Sequence, residues 1–563
     1  MMRLVVLVLS AVFLAVWPLA SAQEAPTFAI RLKPILVDDS YTAIEVTESF
    51  AAPSDQERLI GELALARFNL PTAAAEISIL DARDRRGRLR LSTRDVGEGD
   101  AARRQWIAHR APRGIVMLRY RAPIASALAP RGPAPPIDLR NGERGISGVG
   151  AMFLLRPPSG SFRFGVEWDL PSGASAASSL DGSNETLPID TLDSTFFMAG
   201  SIGRHANTLT HFGAAWHGEP PFDAPALMSW AERMRDYYSA FFALPPEPYS
   251  IFMRRNPVNP GGGIGLFRSF VLTFDQDSEL APLQSTLSHE MFHTYQPRIS
   301  PEDGENPLSV SWFSEGLAVF YQREAPFRAG LMSAEDYLTD LNFHAGRYYT
   351  STMATVPNSE VAASFWRDTR IRTLPYDRGF LYFATLDEAM RRHSNNQRSL
   401  DNLIVELRQI QAAGGDIKLR EWAEMVQREL GEPGVEALRA HLAGAVQLPS
   451  SEAFGPCFRR VSAQMRRYEL GFDPAVLTQS PRIVTGLIDG SAAQQAGLRN
   501  GDEITRPVGQ DGIQGDQTGV LTLQIRRDGR DFELRYTPRG ETVSAWQWVR
   551  VPNVPEETCR AAR

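Results

Sequence analysis

The sequence predicts an α+β multidomain protein, and three observations carry that prediction. Apolar and polar residues alternate in short stretches up to about position 208, apolar residues recur at helical spacing from Pro225 to about Val446, and strand-like patterning returns from Cys457. With 563 residues the chain has room for about three domains. We place them at 23–208, 209–450 and 455–563, after a leader at 1–22. A content of 43% hydrophobic and 22% charged residues excludes a fibrous or wholly disordered chain.

The leader has a short basic start at Met1, Met2 and Arg3, an apolar stretch from Leu4 to Leu19, and the small residues Ala20-Ser21-Ala22. This is the pattern of a secretory signal peptide cut after Ala22. The apolar stretch is short for a bilayer span and Pro18 breaks it, and no later run is of spanning length. The mature protein is therefore expected in the periplasm or secreted, with no stable membrane insertion. A formal net charge of -7 and a pI near 5.8 argue against a nucleic-acid partner, because phosphate neutralisation needs a basic surface.

Strands are expected in the first domain at Tyr41 to Val46 and Gly114 to Tyr120, and loops at Pro123 to Pro136 and Pro171 to Glu185, which are low in large apolar residues. The second domain opens with a helical pattern over Met228 to Tyr238. A β interlude follows, with Tyr249 to Met253 and Ser269 to Phe274, then helices at Leu280 to Gln296, Val310 to Gln322, Arg378 to Arg392 and Leu419 to Glu429. The third unit shows an extended stretch at Ile483 to Ile488, a short helix over Ser491 to Leu498, and a strand entry at Gly501-Asp502-Glu503-Ile504. Cys457 and Cys559 bracket this unit, and in an oxidising compartment such a pair tends to be bridged; two buried free thiols are the alternative. Neither has a CxxC pattern or a nearby histidine, so zinc is not their role.

Chemistry concentrates in Ser288-His289-Glu290-Met291-Phe292-His293-Thr294-Tyr295. On a helix, His289 and His293 lie one turn apart on the same face, which suits two imidazole ligands to one zinc ion. Glu290 sits beside that face, within reach of a proton on a metal-bound water. In Trp312-Phe313-Ser314-Glu315-Gly316-Leu317-Ala318 the carboxylate of Glu315 begins a second helical pattern after a Pro- and Gly-containing loop, so the chain can return it to the metal as third ligand. Three protein ligands leave a fourth position open, which is the arrangement of a catalytic zinc site.

Downstream lies Leu374-Pro375-Tyr376-Asp377-Arg378-Gly379. The set of HExxH, Glu-Gly and Tyr-x-Arg-Gly resembles the glycyl aminopeptidase family of gluzincin zinc metallopeptidases. That resemblance implies a β-rich N-terminal domain, a thermolysin-like, mostly helical catalytic domain and a C-terminal PDZ domain, with Tyr376 stabilising the oxyanion. The succession Leu470-Gly471-Phe472, short helix and Gly-Asp-x-Ile also resembles a bacterial PDZ domain, in which such a loop holds a peptide's terminal carboxylate. Peptides or proteins are the implied substrates, and peptide C-termini the implied ligands of the third unit.

One departure bears on specificity. Relatives carry a Gly-Gly-x-Glu-His segment whose glutamate meets the substrate's α-amine, whereas this chain has Gly262-Gly263-Ile264-Gly265-Leu266. The glycines still allow close approach of a substrate backbone, but the anionic anchor is missing unless Asp275 or Asp277 takes over. Alternatives to an aminopeptidase are an endopeptidase that recruits substrates through its third unit, or a non-catalytic peptide-binding scaffold.

Overall fold

The computed structural model describes residues 26–561 except 53–56, 69, 125–135, 208–209 and 258–259. The expected signal peptide, and most of the expected loop after Pro123, lie outside the described residues. The first domain is built on a seven-stranded sheet in which Thr27–Val37 runs parallel to Ser161–Trp168 and antiparallel to Ser40–Ala51. Alternate residues of Thr27–Val37, among them Phe28, Ile30 and Leu32, are buried, as period-two patterning requires. Within the segment expected as a loop, Ser175–Ser178 forms a short strand paired with Phe196–Gly200. Its Ser-Ala-Ala-Ser composition has no large side chain to mark it.

Glu48 is wholly buried in this domain. Tyr120 Oη donates to its Oε1 at 2.6 Å, and Oε2 has no partner among the described residues. Burial pushes the carboxyl up to about 8 against the opposing Tyr120 hydrogen bond, from an ordinary value of 4.5. Its contribution to stability is therefore full below 4.5 and is lost as pH rises towards 8. Glu48→Gln should stabilise the fold at pH 8, by on the order of a few kcal/mol and with a raised melting temperature, and do little at pH 4.5. Equal melting shifts at both pH values would contradict this.

The second domain packs helices on a five-stranded sheet ordered Ile202–Asn207, Phe212–His217, Tyr249–Arg255, Ser269–Phe274, Gly263–Leu266. The strand Ile202–Asn207 lies before the expected boundary at 208 yet pairs within this sheet. The helices are α1 (Ala224–Phe241), α2 (Leu280–Tyr295), α3 (Ser311–Arg328), α4 (Ala334–Tyr349), α5 (Asn358–Ser364), α6 (Thr369–Arg372), α7 (Leu374–His393), α8 (Leu400–Ala412), α9 (Leu419–Leu430) and α10 (Glu432–Leu442).

The third unit is attached by a long antiparallel ribbon of Phe458–Tyr468 with Arg539–Arg550. The ribbon lies on α4, where Asn342 Nδ2 donates to the Trp548 carbonyl and Asn342 Oδ1 accepts from the Trp548 N–H, both at 2.8 Å. Cys457 and Cys559 are bridged, with Cα atoms 5.5 Å apart. Both cysteines, Phe458 and Trp548 belong to the core of the second domain, so the bridge fastens the base of the ribbon there. Beyond the ribbon, a small separate core gathers Leu470, Phe472, Val484, Leu498, Ile504 and Leu523. The unit also holds α11 (Ala492–Gln495), α12 (Asp511–Gly515) and α13 (Glu556–Ala561). The extended stretch expected over Ile483 to Ile488 makes one isolated bridge, Ile483 to Glu503, and no longer strand.

Candidate metal centre

Helix α2 is seated by Leu283, Leu287 and Met291, buried on one face at helical spacing. Its rotation is fixed by Tyr238, whose Oη lies 2.8 Å from Ser288 Oγ and donates to the Ser288 carbonyl at 3.1 Å. The next residues on the helix, His289, Glu290 and His293, are thereby turned towards a cleft bordered by α3 and α7.

Three atoms converge there. His289 Nε2 and His293 Nε2 are 3.1 Å apart, and each is 3.3 Å from Glu315 Oε2. Metal bonds of about 2.0–2.1 Å in a tetrahedron give ligand-to-ligand edges of about 3.3 Å, so the triangle fits zinc with one corner left open. The proton position of His289 agrees. His289 Nδ1 lies 3.0 Å from Gln322 Oε1, an acceptor that holds the hydrogen on Nδ1 and leaves Nε2 bare. Gln296 meets His293 Nδ1 at 2.6 Å through Nε2, while its buried Oε1 has no partner among the described residues. A half-turn of that amide lets His293 Nδ1–H donate to Oε1 and frees Nε2 for the metal. Burial would raise the Glu315 carboxyl, but the two imidazoles hold it well below the usual carboxylate range.

Behind the ligands runs a buried polar network. Gln322 Nε2 donates to Asp340 Oδ1 at 2.8 Å and lies 3.2 Å from His344 Nε2. His344 Nδ1 is 2.8 Å from Asp377 Oδ1, and Arg347 donates to both Asp377 oxygens at 2.6 and 2.7 Å. Asp377 follows Tyr376, so one set of bonds braces both a candidate ligand and the helix start carrying the candidate oxyanion donor. Sequence reading missed Gln322, Asp340, His344 and Arg347. Gln322 alone had a signal, because it lies two helical turns after Glu315 on the same helix.

Tyr376 faces His289, with ring centroids 6.0 Å apart and planes at 16°. Burial, then the charges of Glu315, Glu290 and Asp511, push its hydroxyl well above the ordinary value, so it stays protonated and can donate. Glu290 is half-buried and its carboxylate makes no hydrogen bond among the described residues. The motif glycines explain how the two sides of the cleft come so close. A Cβ on Gly316 would lie 2.6 Å from Gly379 Cα, and one on Gly379 would lie 2.5 Å from the Trp312 carbonyl oxygen. Helices α3 and α7 therefore cross backbone to backbone, with Glu315 and Tyr376 on either side of the crossing.

The strand Gly263–Leu266 is the edge of the five-stranded sheet, and Thr286 of α2 donates to the Gly261 carbonyl at 3.1 Å just before it. Gly263 is required by the sheet itself, since a Cβ there would meet the Val271 carbonyl and the Phe270 ring. Gly265 opens on free space. Asp275 is engaged locally, with Oδ1 accepting from the Asp277 N–H and the Ser278 hydroxyl. In the third unit Leu470 and Phe472 are buried, and Gly471, at φ +85°, presents its carbonyl to the Ile488 N–H at 2.8 Å. This loop lines a pocket of about 210 Å³ together with Asp368, Thr369 and Arg370 of the second domain.

Comparison with known proteins bears on this geometry. The family model for M61 glycyl aminopeptidase matches residues 283–397, a span that includes His289, Glu290, His293, Glu315 and Tyr376. The search of curated proteins returns no match. Among solved structures, an M1 zinc metallopeptidase from Deinococcus radiodurans bound to a Tyr-Ser-Ala substrate aligns with 76% of this chain and 96% of its own, at 16% identity and a TM-score of 0.42. An aminopeptidase N family protein from Idiomarina loihiensis aligns with 95% of this chain and 100% of its own, at 14% identity and a TM-score of 0.61. Over nearly its whole length the chain thus shares the fold of that aminopeptidase N family protein, and its likeness to the M61 glycyl aminopeptidases falls on the segment holding the candidate metal centre.

Proposed function

We propose that the protein is an exported zinc metallopeptidase that hydrolyses peptide bonds with chemistry like that of the glycyl aminopeptidases. The observation that carries this reading is the triangle of His289 Nε2, His293 Nε2 and Glu315 Oε2, with edges of 3.1 to 3.3 Å, and the ring of Tyr376 stacked 6.0 Å from that of His289. These three residues would hold one zinc ion, which when bound supplies a Lewis acid that polarises the scissile carbonyl and acidifies water. Glu290 takes the proton of the attacking water and passes it to the leaving amine. Tyr376 Oη donates to the carbonyl oxygen as it gains negative charge. The edge strand at Gly262, Gly263 and Gly265 receives the substrate backbone as an added strand. Export rests on residues 1–22 and on the Cys457–Cys559 bridge. The loop Leu470-Gly471-Phe472 of a PDZ-like third unit is the proposed site for a peptide carboxylate.

A second reading, cleavage that tolerates blocked or internal positions, is favoured by Gly265, where no carboxylate stands to meet an α-amine. A buried ammonium without a partner costs several kcal/mol, so strict selection of free amino ends needs such a group. One experiment tests both readings: metal analysis, then kcat/KM for an alanyl amide with and without an N-acetyl group. We expect one zinc per chain, activity removed by chelation and restored by zinc, and a modest preference for the free amine. Activity that survives metal removal would overturn the peptidase mechanism. A preference above about a hundredfold, near 2.7 kcal/mol, would reveal an anchor and restore the aminopeptidase reading.

A further inference from the structure

The third unit reaches the candidate active site through α12. Asp511 accepts from Arg372 Nη2 at 2.7 and 2.8 Å and from the Thr369 hydroxyl, and its carbonyl accepts from Arg347 Nη1 at 3.3 Å. Gly515 of the same short helix lies against Phe343 of α4, where a Cβ would come within 2.6 Å of the ring. The C-terminal unit is therefore joined to the helical turn that leads directly into Tyr376.

Arg372 and Tyr376 share one accessible stripe. Thr373, between α6 and α7, keeps helical backbone at φ -81° and ψ -11°, so residues 372 and 376 lie about one turn, 5.4 Å, apart on one face. From Ile371 to Phe380 every other residue is buried. Arg372 is also the cation whose charge, with Asp511, bears on the Tyr376 hydroxyl. Asp511 and Thr369 occupy Nη2 alone; Nε and Nη1 meet no protein acceptor among the described residues. A guanidinium has five N–H donors in a planar fork; Nη2, which both of its paired edges share, is taken by Asp511 and Thr369, and the N–H groups of Nη1 and Nε are left to donate singly to a second carboxylate.

We propose that Arg372, oriented by Asp511 of the C-terminal unit, recognises a carboxylate on the residue just after the scissile bond, and that the α-carboxylate of a dipeptide is its preferred source. This rests on the peptidase reading above. With the scissile carbonyl at Tyr376, the dipeptide's terminal carboxylate lies one residue, about 3.8 Å, further on, a reach that the one-turn spacing and the long arginine side chain cover. The C-terminal unit then forms part of the substrate site and selects short free peptides.

The test uses the zinc-loaded full chain with Ala-Ala, Ala-Ala-amide and Ala-Asp-amide, each also N-acetylated. The free acid should exceed the amide in kcat/KM by about ten- to hundredfold, the range of a charge-assisted hydrogen bond. Arg372→Gln should bring that ratio close to one, while Arg372→Lys keeps part of it and Asp511→Asn reduces it. A preference that appears with Ala-Asp-amide and vanishes in Arg372→Gln supports the same site with a side-chain carboxylate as its source. Equal rates on acid and amide in the wild type, or a preference unchanged in Arg372→Gln, overturns the inference. Where Arg372→Gln does not fold, the ratios for Arg372→Lys and Asp511→Asn decide, and wild-type values in both overturn it. Zinc-loaded protein that cleaves none of the peptides overturns the peptidase reading itself and this inference with it.

Discussion

Glu290→Gln is expected to lower kcat/KM by about two to four powers of ten while the protein still holds its zinc, because a general base is removed and no metal ligand is touched. Glu290 makes no hydrogen bond among the described residues, so the near-isosteric amide breaks none, and its melting temperature should stay close to that of the wild type. His293→Ala breaks the triangle instead. It should lose the metal and the activity together. Elemental analysis of the two variants beside their kinetics separates base from ligand: retained hydrolysis in Glu290→Gln, or absent zinc in it, would remove Glu290 from the mechanism.

Gly379→Ala should be the other variant with a large effect, although the residue touches neither metal nor substrate. Its new methyl would meet the Trp312 carbonyl oxygen at 2.5 Å and Gly316 Cα at 2.8 Å, both backbone atoms that cannot rotate away. The two helices must part, at a cost typical of overpacking, about 1–3 kcal/mol. Parting them moves Tyr376 away from Glu315, and a displacement of about 1 Å between reacting groups can cost about a hundredfold in rate. A fall in melting temperature together with a fall in kcat/KM is the expected result. Gly165→Ala, where a Cβ meets nothing within 4 Å, is the control. Wild-type stability and kinetics in Gly379→Ala would show that the crossing has slack and that the glycine serves another purpose.

The candidate ligands were legible because the helix repeat alone sets two histidines four residues apart on one face, and Glu315 follows in a motif of its own. Tyr376 was reached through its motif. The glycines of both motifs were visible as letters, but their use was hidden until α3 and α7 were seen to meet at Gly316 and Gly379. Of the polar network only Gln322, two turns after Glu315 on one helix, left a trace in the sequence. His289 to Gln322 spans 33 positions and His344 to Asp377 another 33, and no local pattern records which helix faces which. The same holds for the third unit, whose ribbon and α12 owe their placement to Asn342, Phe343 and Arg347 of α4. The extended stretch read over Ile483 to Ile488 has one ladder bridge, to Glu503, and bonds otherwise to loop backbone, Val484 N–H to the Asp502 carbonyl and Ile488 N–H to that of Gly471, which no local pattern announces.

The free space at Gly265 has a consequence for how selectivity can change over time. A glycine held in place by its neighbours, as Gly263 is by Val271 and Phe270, admits no substitution without repacking the sheet. Position 265 carries no such constraint, since a side chain there would project into open space from an edge strand. Gain or loss of a carboxylate at that point is a single heritable step that leaves the sheet, the candidate ligands and the helix crossing as they are. On the proposed peptidase reading, preference for amino ends and tolerance of blocked ones would be neighbouring states of one scaffold, separated by one codon.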